Sequence, residues 1–174
     1  REVQMNFEIV KFDKKFEYLV SDITDLLHDA YKTLAAAGMN STAQQNSETT
    51  LARLSKGVSF LGFADSKVVA TISVIKTPSE DPIQWLKRPG VFFFTQFAVS
   101  SKYQKSGYGA QILKFAEEYA KEEGAEELAL DTSEKAVDLV AWYRHRGYRI
   151  VDYCQLPDTS YRSVVMSKQL NRGG

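Results

Sequence analysis

Gln104-x-x-Gly107-x-Gly109 lies between an unbroken apolar run, VFFFTQFAV, and the helical pattern AQILKFAEEYA. A strand that passes through a glycine-spaced turn into a helix suits a phosphate. N–H groups left unpaired at a helix N-terminus point the same way, the helix dipole adds partial positive charge, and glycine lets the backbone approach a bulky anion. Gln104, Lys105, Ser106, Gly107, Tyr108, Gly109 and Ala110 are therefore the first candidates for function. The same residues exclude two common nucleotide motifs. A P-loop needs Lys and then Ser or Thr directly after its last Gly, whereas Ala110 and Gln111 follow Gly109. A dinucleotide fingerprint needs a third Gly where this chain has Ile112.

A second stretch lies downstream. LALDTSE reads as a short strand over residues 127–131, a helix follows, and Tyr143-Arg144-His145-Arg146-Gly147-Tyr148 leads into another strand. The two stretches, in this order and spacing, resemble the GNAT superfamily of N-acetyltransferases. The first resembles its acetyl-CoA pyrophosphate loop (Q/R-x-x-G-x-G/A). The second resembles its downstream motif, in which a helix carries a Tyr four residues before a Gly-aromatic pair. The match is strongest over residues 92–151 and extends to the whole chain by element order.

The resemblance implies an acetyl-CoA cosubstrate and no metal. It implies that the strands at 91–100 and 127–131 splay apart, with the pantetheine arm between them. Backbone groups around Phe97, Ala98 and Val99 would then bond the pantetheine, and one N–H there would polarise the thioester carbonyl. An amine attacks that carbonyl directly, so the protein must offer a neutral amine, stabilise the oxyanion and protonate the leaving thiolate. Tyr143 matches the family's Tyr and is the candidate acid. Its phenol, with a pKa of about 10 against about 8.5 for a thiol, suits a hydrogen bond to the forming thiolate. The alternative for Tyr143 is a core aromatic, since it shares a helix stripe with Ala136, Leu139 and Val140. For the general base the candidates are Asp131, at the end of its strand, and Glu80 and Asp81, in a proline-bounded loop. A capping or turn role before the next helix, helped by Thr132 and Ser133, is the other reading of Asp131.

The chain departs from the family pattern at two places. Ala136 stands seven residues before Tyr143 where many members have Asn, and Ser101 replaces a frequent Pro. The first departure keeps open an acyl-CoA-binding regulatory module of the same fold without turnover. A third reading is an α/β domain whose glycine turn is only structural.

The elements that must position these residues follow from periodicity. Residues 6–12 alternate as a first strand, and apolar residues from Phe16 to Leu34 recur at helical steps, with Gly38 as the stop. A polar stretch passes into a short helix around Leu51 and Leu54 that ends at Gly57. Residues 58–64 and 67–75 flank Asp65-Ser66 as a hairpin. Residues 77–90 hold Pro78, Pro82 and Pro89 and read as a loop. Residues 149–154 and 161–167 read as closing strands around a turn at 156–158. The order is β-α-α-β-β-β-α-β-α-β-β, an α/β fold with a mixed sheet and helices on both faces, as one domain over residues 1–174.

Composition narrows the partners. Lys plus Arg and Asp plus Glu stand at 22 each, so no overall field draws in nucleic acid or an anionic membrane surface. The single Cys154 forms no internal disulfide, no apolar run reaches membrane-spanning length, and the start lacks the apolar core of a signal peptide. A reducing cytoplasm is the expected setting, although the chain begins at Arg1 and a removed leader stays open. His28 and His145 have no neighbours at metal-ligand spacing. Cys154 reads as a half-buried strand residue, and Glu117, Glu118, Lys121, Glu122 and Glu123 as a solvated helix face. The resemblance implies a small-molecule or peptide-borne primary amine as partner, its site built from residues 30–56 and 77–90, and a homodimer is left open.

Overall fold

The computed structural model describes residues 6–36, 42–76, 82–157 and 159–170. Its strands are β1 (Glu8–Lys11), β2 (Val58–Ala64), β3 (Lys67–Ile75), β4 (Val91–Val99), β5 (Glu127–Ser133), β6 (Arg149–Cys154) and β7 (Ser163–Gln169). Its helices among the described residues are α1 (Val20–Ala36), α2 (Ser47–Leu54), α3 (Tyr108–Glu122) and α4 (Val137–His145), with 3-10 turns between. The strands form one mixed sheet in the order β1-β2-β3-β4-β5-β7-β6. The order of strands and α-helices is the one expected from periodicity. The chain packs as two compact units, Arg1–Val74 with Thr95–Ala116, and Ile75–Phe94 with Glu117–Gly174.

In the first unit β1 pairs antiparallel with β2, and β2 with β3. The β2–β3 hairpin turns on Asp65 and Ser66, both left-handed at φ +52° and +63°. Two left-handed central residues give the turn whose twist matches that of the strands. One core here gathers Ile23, Leu26 and Leu27 of α1 with Leu54, Leu61 and Ala98. Gly62 is required by close approach, since a Cβ there would stand 2.5 Å from the Phe7 ring.

In the second unit β4 pairs parallel with β5 from Val91↔Glu127 to Phe93↔Ala129. β5 and β6 both pair antiparallel with β7. Its core joins Ile83, Leu86, Val91, Phe93, Ala129 and Val165.

Several boundaries differ from the expectations. The first strand keeps only its central residues, Glu8–Lys11. The helix expected from Phe16 begins as a 3-10 turn, Lys14–Leu19, because the Asp13 side chain accepts from the Lys15 N–H and sets a tight start. Gly38, Pro78, Glu80, Asp81 and Asp158 lie outside the described residues. The remainder of the proline segment is no simple loop. Gln84–Lys87 forms a 3-10 turn because Ile83 and Leu86 are apolar enough to be buried in the core. β7 starts two residues late, since the Tyr161 carbonyl accepts from the Gln155 side chain rather than a ladder partner, and continues to Gln169 opposite Glu127.

Candidate functional site

β4 delivers the chain to the glycine loop. After Val99, the Ser100 N–H donates to the Val69 carbonyl at 2.8 Å, and a 3-10 turn, Ser101–Tyr103, begins. Asp29 of α1 caps that turn: its carboxylate accepts from the Ser101 N–H at 2.8 Å and from the Ser101 hydroxyl at 3.0 Å. The Ser101 backbone bond, outweighing the effect of burial, holds the Asp29 carboxyl below the usual carboxylate range. The position that departs from the family's Pro therefore donates an N–H that Pro lacks.

Gln104, Lys105, Ser106 and Gly107 are exposed and turn the chain into α3. The Ser106 hydroxyl bonds the Tyr103 carbonyl, and the Gln104 side chain donates back to the Val99 carbonyl at 3.4 Å. Gly107 takes φ +86° and its carbonyl accepts from the Gln111 N–H at 3.1 Å, which makes it the residue heading the helix. A Cβ on Gly107 would meet nothing within 4 Å, so the space above the loop is open. Gly109 and Ala110 fall in the first helical turn, whose N–H groups have no intrahelical acceptor. Tyr108 anchors the turn from below, buried at 4% exposure, stacked on Phe7 at 4.1 Å and beside Tyr103 at 5.9 Å. The geometry fits a diphosphate held by backbone donors on the open side of an anchored turn.

The strand feeding this loop holds a feature that periodicity could not reveal. Gln96 is left-handed, φ +53°, in the middle of β4. Its side chain is buried and accepts from Gln45, while the next carbonyl, that of Phe97, accepts from the Tyr31 hydroxyl at 2.8 Å. Phe97, Ala98 and Val99 alternate half-buried, buried, half-buried beyond it. Phe97, Ala98, Val99 and residues 104–110 are thus brought together in the first unit.

Tyr143 and Asp131 belong to the second unit. Tyr143 is 4% exposed on α4, within an aromatic cluster of Phe94, Trp142 and Tyr148 at centroid distances of 5.9, 5.3 and 5.7 Å. Asp131 does not end its strand. β5 continues to Ser133, Asp131 pairs with Val165, and its side chain is exposed. Nor does it cap α4, whose cap position is Ala136 with no side-chain bond; Ser133 serves the turn by accepting from the Lys135 N–H. Asp131 instead faces Tyr161, whose phenol is pushed up by burial first and then by the Asp131 charge.

Glu117 does not lie on a solvated helix face. Its side chain, 12% exposed, accepts from the Tyr148 hydroxyl at 2.8 Å and the Lys168 ammonium at 3.0 Å. It belongs to a half-buried cluster. Cys154 is half-buried on β6 as expected, and no cluster of three metal-ligating side chains occurs among the described residues. No described helix is long and apolar enough to cross a membrane.

Comparison with known proteins agrees with this architecture. The family model for the acetyltransferase (GNAT) family matches residues 20–148, more than half of the chain. The chain belongs to that family. Family membership supports an acetyl-CoA-dependent acyltransferase in general. Solved structures with a similar fold include the PaiA N-acetyltransferase from Thermoplasma acidophilum in complex with coenzyme A. It is 16% identical, with a TM-score of 0.73 over 95% of this chain and 99% of that one. A GNAT family acetyltransferase from Elizabethkingia anophelis with acetyl-CoA bound is 17% identical, with a TM-score of 0.68 over 94% and 98%. An IAA acetyltransferase from Bacillus cereus is 16% identical, with a TM-score of 0.67 over 94% and 99%. At these identities the likeness is one of fold. No curated protein matches the chain by sequence.

Proposed function

We propose that this protein is an N-acetyltransferase that moves the acetyl group of acetyl-CoA to a primary amine by direct attack within a ternary complex. The observation that carries the reading is the turn at Gly107, left-handed, heading α3 and open above. In this proposal the backbone at residues 104–110 holds the pyrophosphate, and N–H groups of Phe97–Val99 bond the pantetheine and polarise the thioester carbonyl. The amine forms the new C–N bond as the C–S bond breaks. Asp131 takes the proton from the ammonium, directly or through a water; Tyr143 gives its proton to the thiolate as the C–S bond breaks, and the second proton shed by the new amide nitrogen restores the phenol. The acceptor is a small-molecule or peptide-borne amine, with no nucleic acid or membrane partner, in a reducing cytoplasm. The balanced charge and single Cys154 of the sequence support that setting.

A second reading, an acyl-CoA-binding module without turnover, is favoured by the burial of Tyr143 among aromatics. Calorimetry with acetyl-CoA, followed by thiol release across a panel of amines, separates the two. Acetyl-CoA binding with amine-dependent thiol release, reduced about a hundredfold or more in Tyr143→Phe, is the expected result. Binding without release for any amine selects the module, and absence of binding removes both.

A further inference from the structure

Gln96 is the one left-handed residue within β4, and a backbone with φ +53° is disfavoured for any residue bearing a Cβ. Such a conformation persists only where its surroundings hold it. Here the surroundings are a buried polar network. Gln96 Oε1 accepts from Gln45 Nε2 at 3.0 Å, and Gln96 Nε2 donates to Thr95 Oγ1 at 3.3 Å. Gln45, only 5% exposed, also donates from Nε2 to Thr50 Oγ1 at 2.8 Å. Its Oε1 accepts from the Arg53 guanidinium, and its main-chain carbonyl accepts from His28 Nε2 at 2.6 Å. Thr24 donates to the same Thr50 hydroxyl at 2.7 Å. One residue beyond Gln96, the Tyr31 hydroxyl donates to the Phe97 carbonyl at 2.8 Å.

The Gln96 side chain and the Phe97 carbonyl are therefore held by side chains from the segment entering α2 and from α1. A strand residue that only had to pack would keep the extended backbone. An apolar side chain would serve it better than a buried amide that needs every partner satisfied.

We propose that Gln45 and Tyr31 are positioning residues for the thioester carbonyl. Gln45 locks the left-handed turn at Gln96, Tyr31 anchors the Phe97 carbonyl, and together they aim the N–H groups that follow Gln96. The inference rests on the reading above that N–H groups of Phe97–Val99 face that carbonyl. It assigns new roles to two side chains outside the glycine loop, neither of which touches the reacting atoms.

The test uses acetyl-CoA labelled with carbon-13 at the thioester carbonyl, its infrared band, and calorimetry with acetyl-CoA and with CoA. In the unaltered protein the bound carbonyl band moves to lower frequency than in free acetyl-CoA. In Tyr31→Phe and Gln45→Leu the band returns toward the free position and acetyl-CoA affinity falls about three- to tenfold, the range of one hydrogen bond. CoA affinity, read by the glycine loop, stays within about twofold. Variants that bind and retain the full band shift overturn the positioning role while leaving the proposed function intact. A parent protein that binds acetyl-CoA with no band shift also overturns it, with the coenzyme site preserved. A parent protein that binds neither CoA form overturns the proposed function and this inference together. Tyr31→Phe removes one oxygen and keeps the ring, so it decides the matter even where Gln45→Leu fails to fold.

Discussion

Asp29 shows how one carboxylate ties a helix to the candidate coenzyme loop. Two of its bonds go to Ser101 and a third contact, at 3.4 Å, to Lys32. Its carboxyl is held below the usual range, so its contribution is present above the unfolded pKa of about 3.9 and is lost as pH falls through the lower folded value. Asp29→Ala is expected to cost about 1 kcal/mol at pH 7, as for other lost caps. Urea unfolding of the two proteins should converge as pH falls below that folded value. Glu117 works in the opposite sense on its partner. Burial, and then the Glu117 charge, pushes the Tyr148 phenol well above 10, so that part of the stability is present below the unfolded pKa and is lost as pH rises through the folded value. Glu117→Ala strands the Tyr148 hydroxyl and leaves Lys168 to solvent, and should cost about 2–3 kcal/mol by denaturant midpoint. At this scale the sequence showed which residue types were present but not their partners. Gln96 and Gln45 stand 51 positions apart, and no periodicity joins them.

The element scale was the most legible. The Asp65-Ser66 hairpin, the entry of β4 into a glycine turn and the order of strands and helices follow from alternation, turn chemistry and helical spacing, which are local properties. The misses lie where packing overrides local preference: the 3-10 turn at Gln84–Lys87, drawn into a core by Ile83 and Leu86, and the extension of β5 to Ser133 along β7. Gly107 is the element-scale test. With open space above it, a side chain there pays for its backbone alone. Gly107→Ala should cost about 1–2 kcal/mol through the left-handed φ, without a clash. The same change puts a methyl group on the open side of the turn, so CoA affinity by calorimetry should fall more than stability alone explains. Unchanged CoA affinity would count against the glycine turn as a phosphate site.

For the whole molecule the expected observation is a ligand-dependent melting temperature. Acetyl-CoA and CoA at about 100 times their dissociation constants add about 2.7 kcal/mol to a protein that binds them only when folded. For a chain of this size that is a rise of roughly 5–10 °C, which ATP and NAD should not produce. A protein that melts at one temperature with all four would remove the coenzyme site. The α/β class, the order of elements, the glycine loop and the family are legible in the residues alone. Each of these is written in short-range periodicity and in residues at fixed small spacing. That Gln96 leaves the extended backbone, that Tyr31, Gln45 and Asp29 reach back to β4 and its turn, and that Glu117 bonds Tyr148 could be seen only in the folded chain. Those facts depend on contacts between residues distant along the chain, and such contacts exist only once the elements have packed.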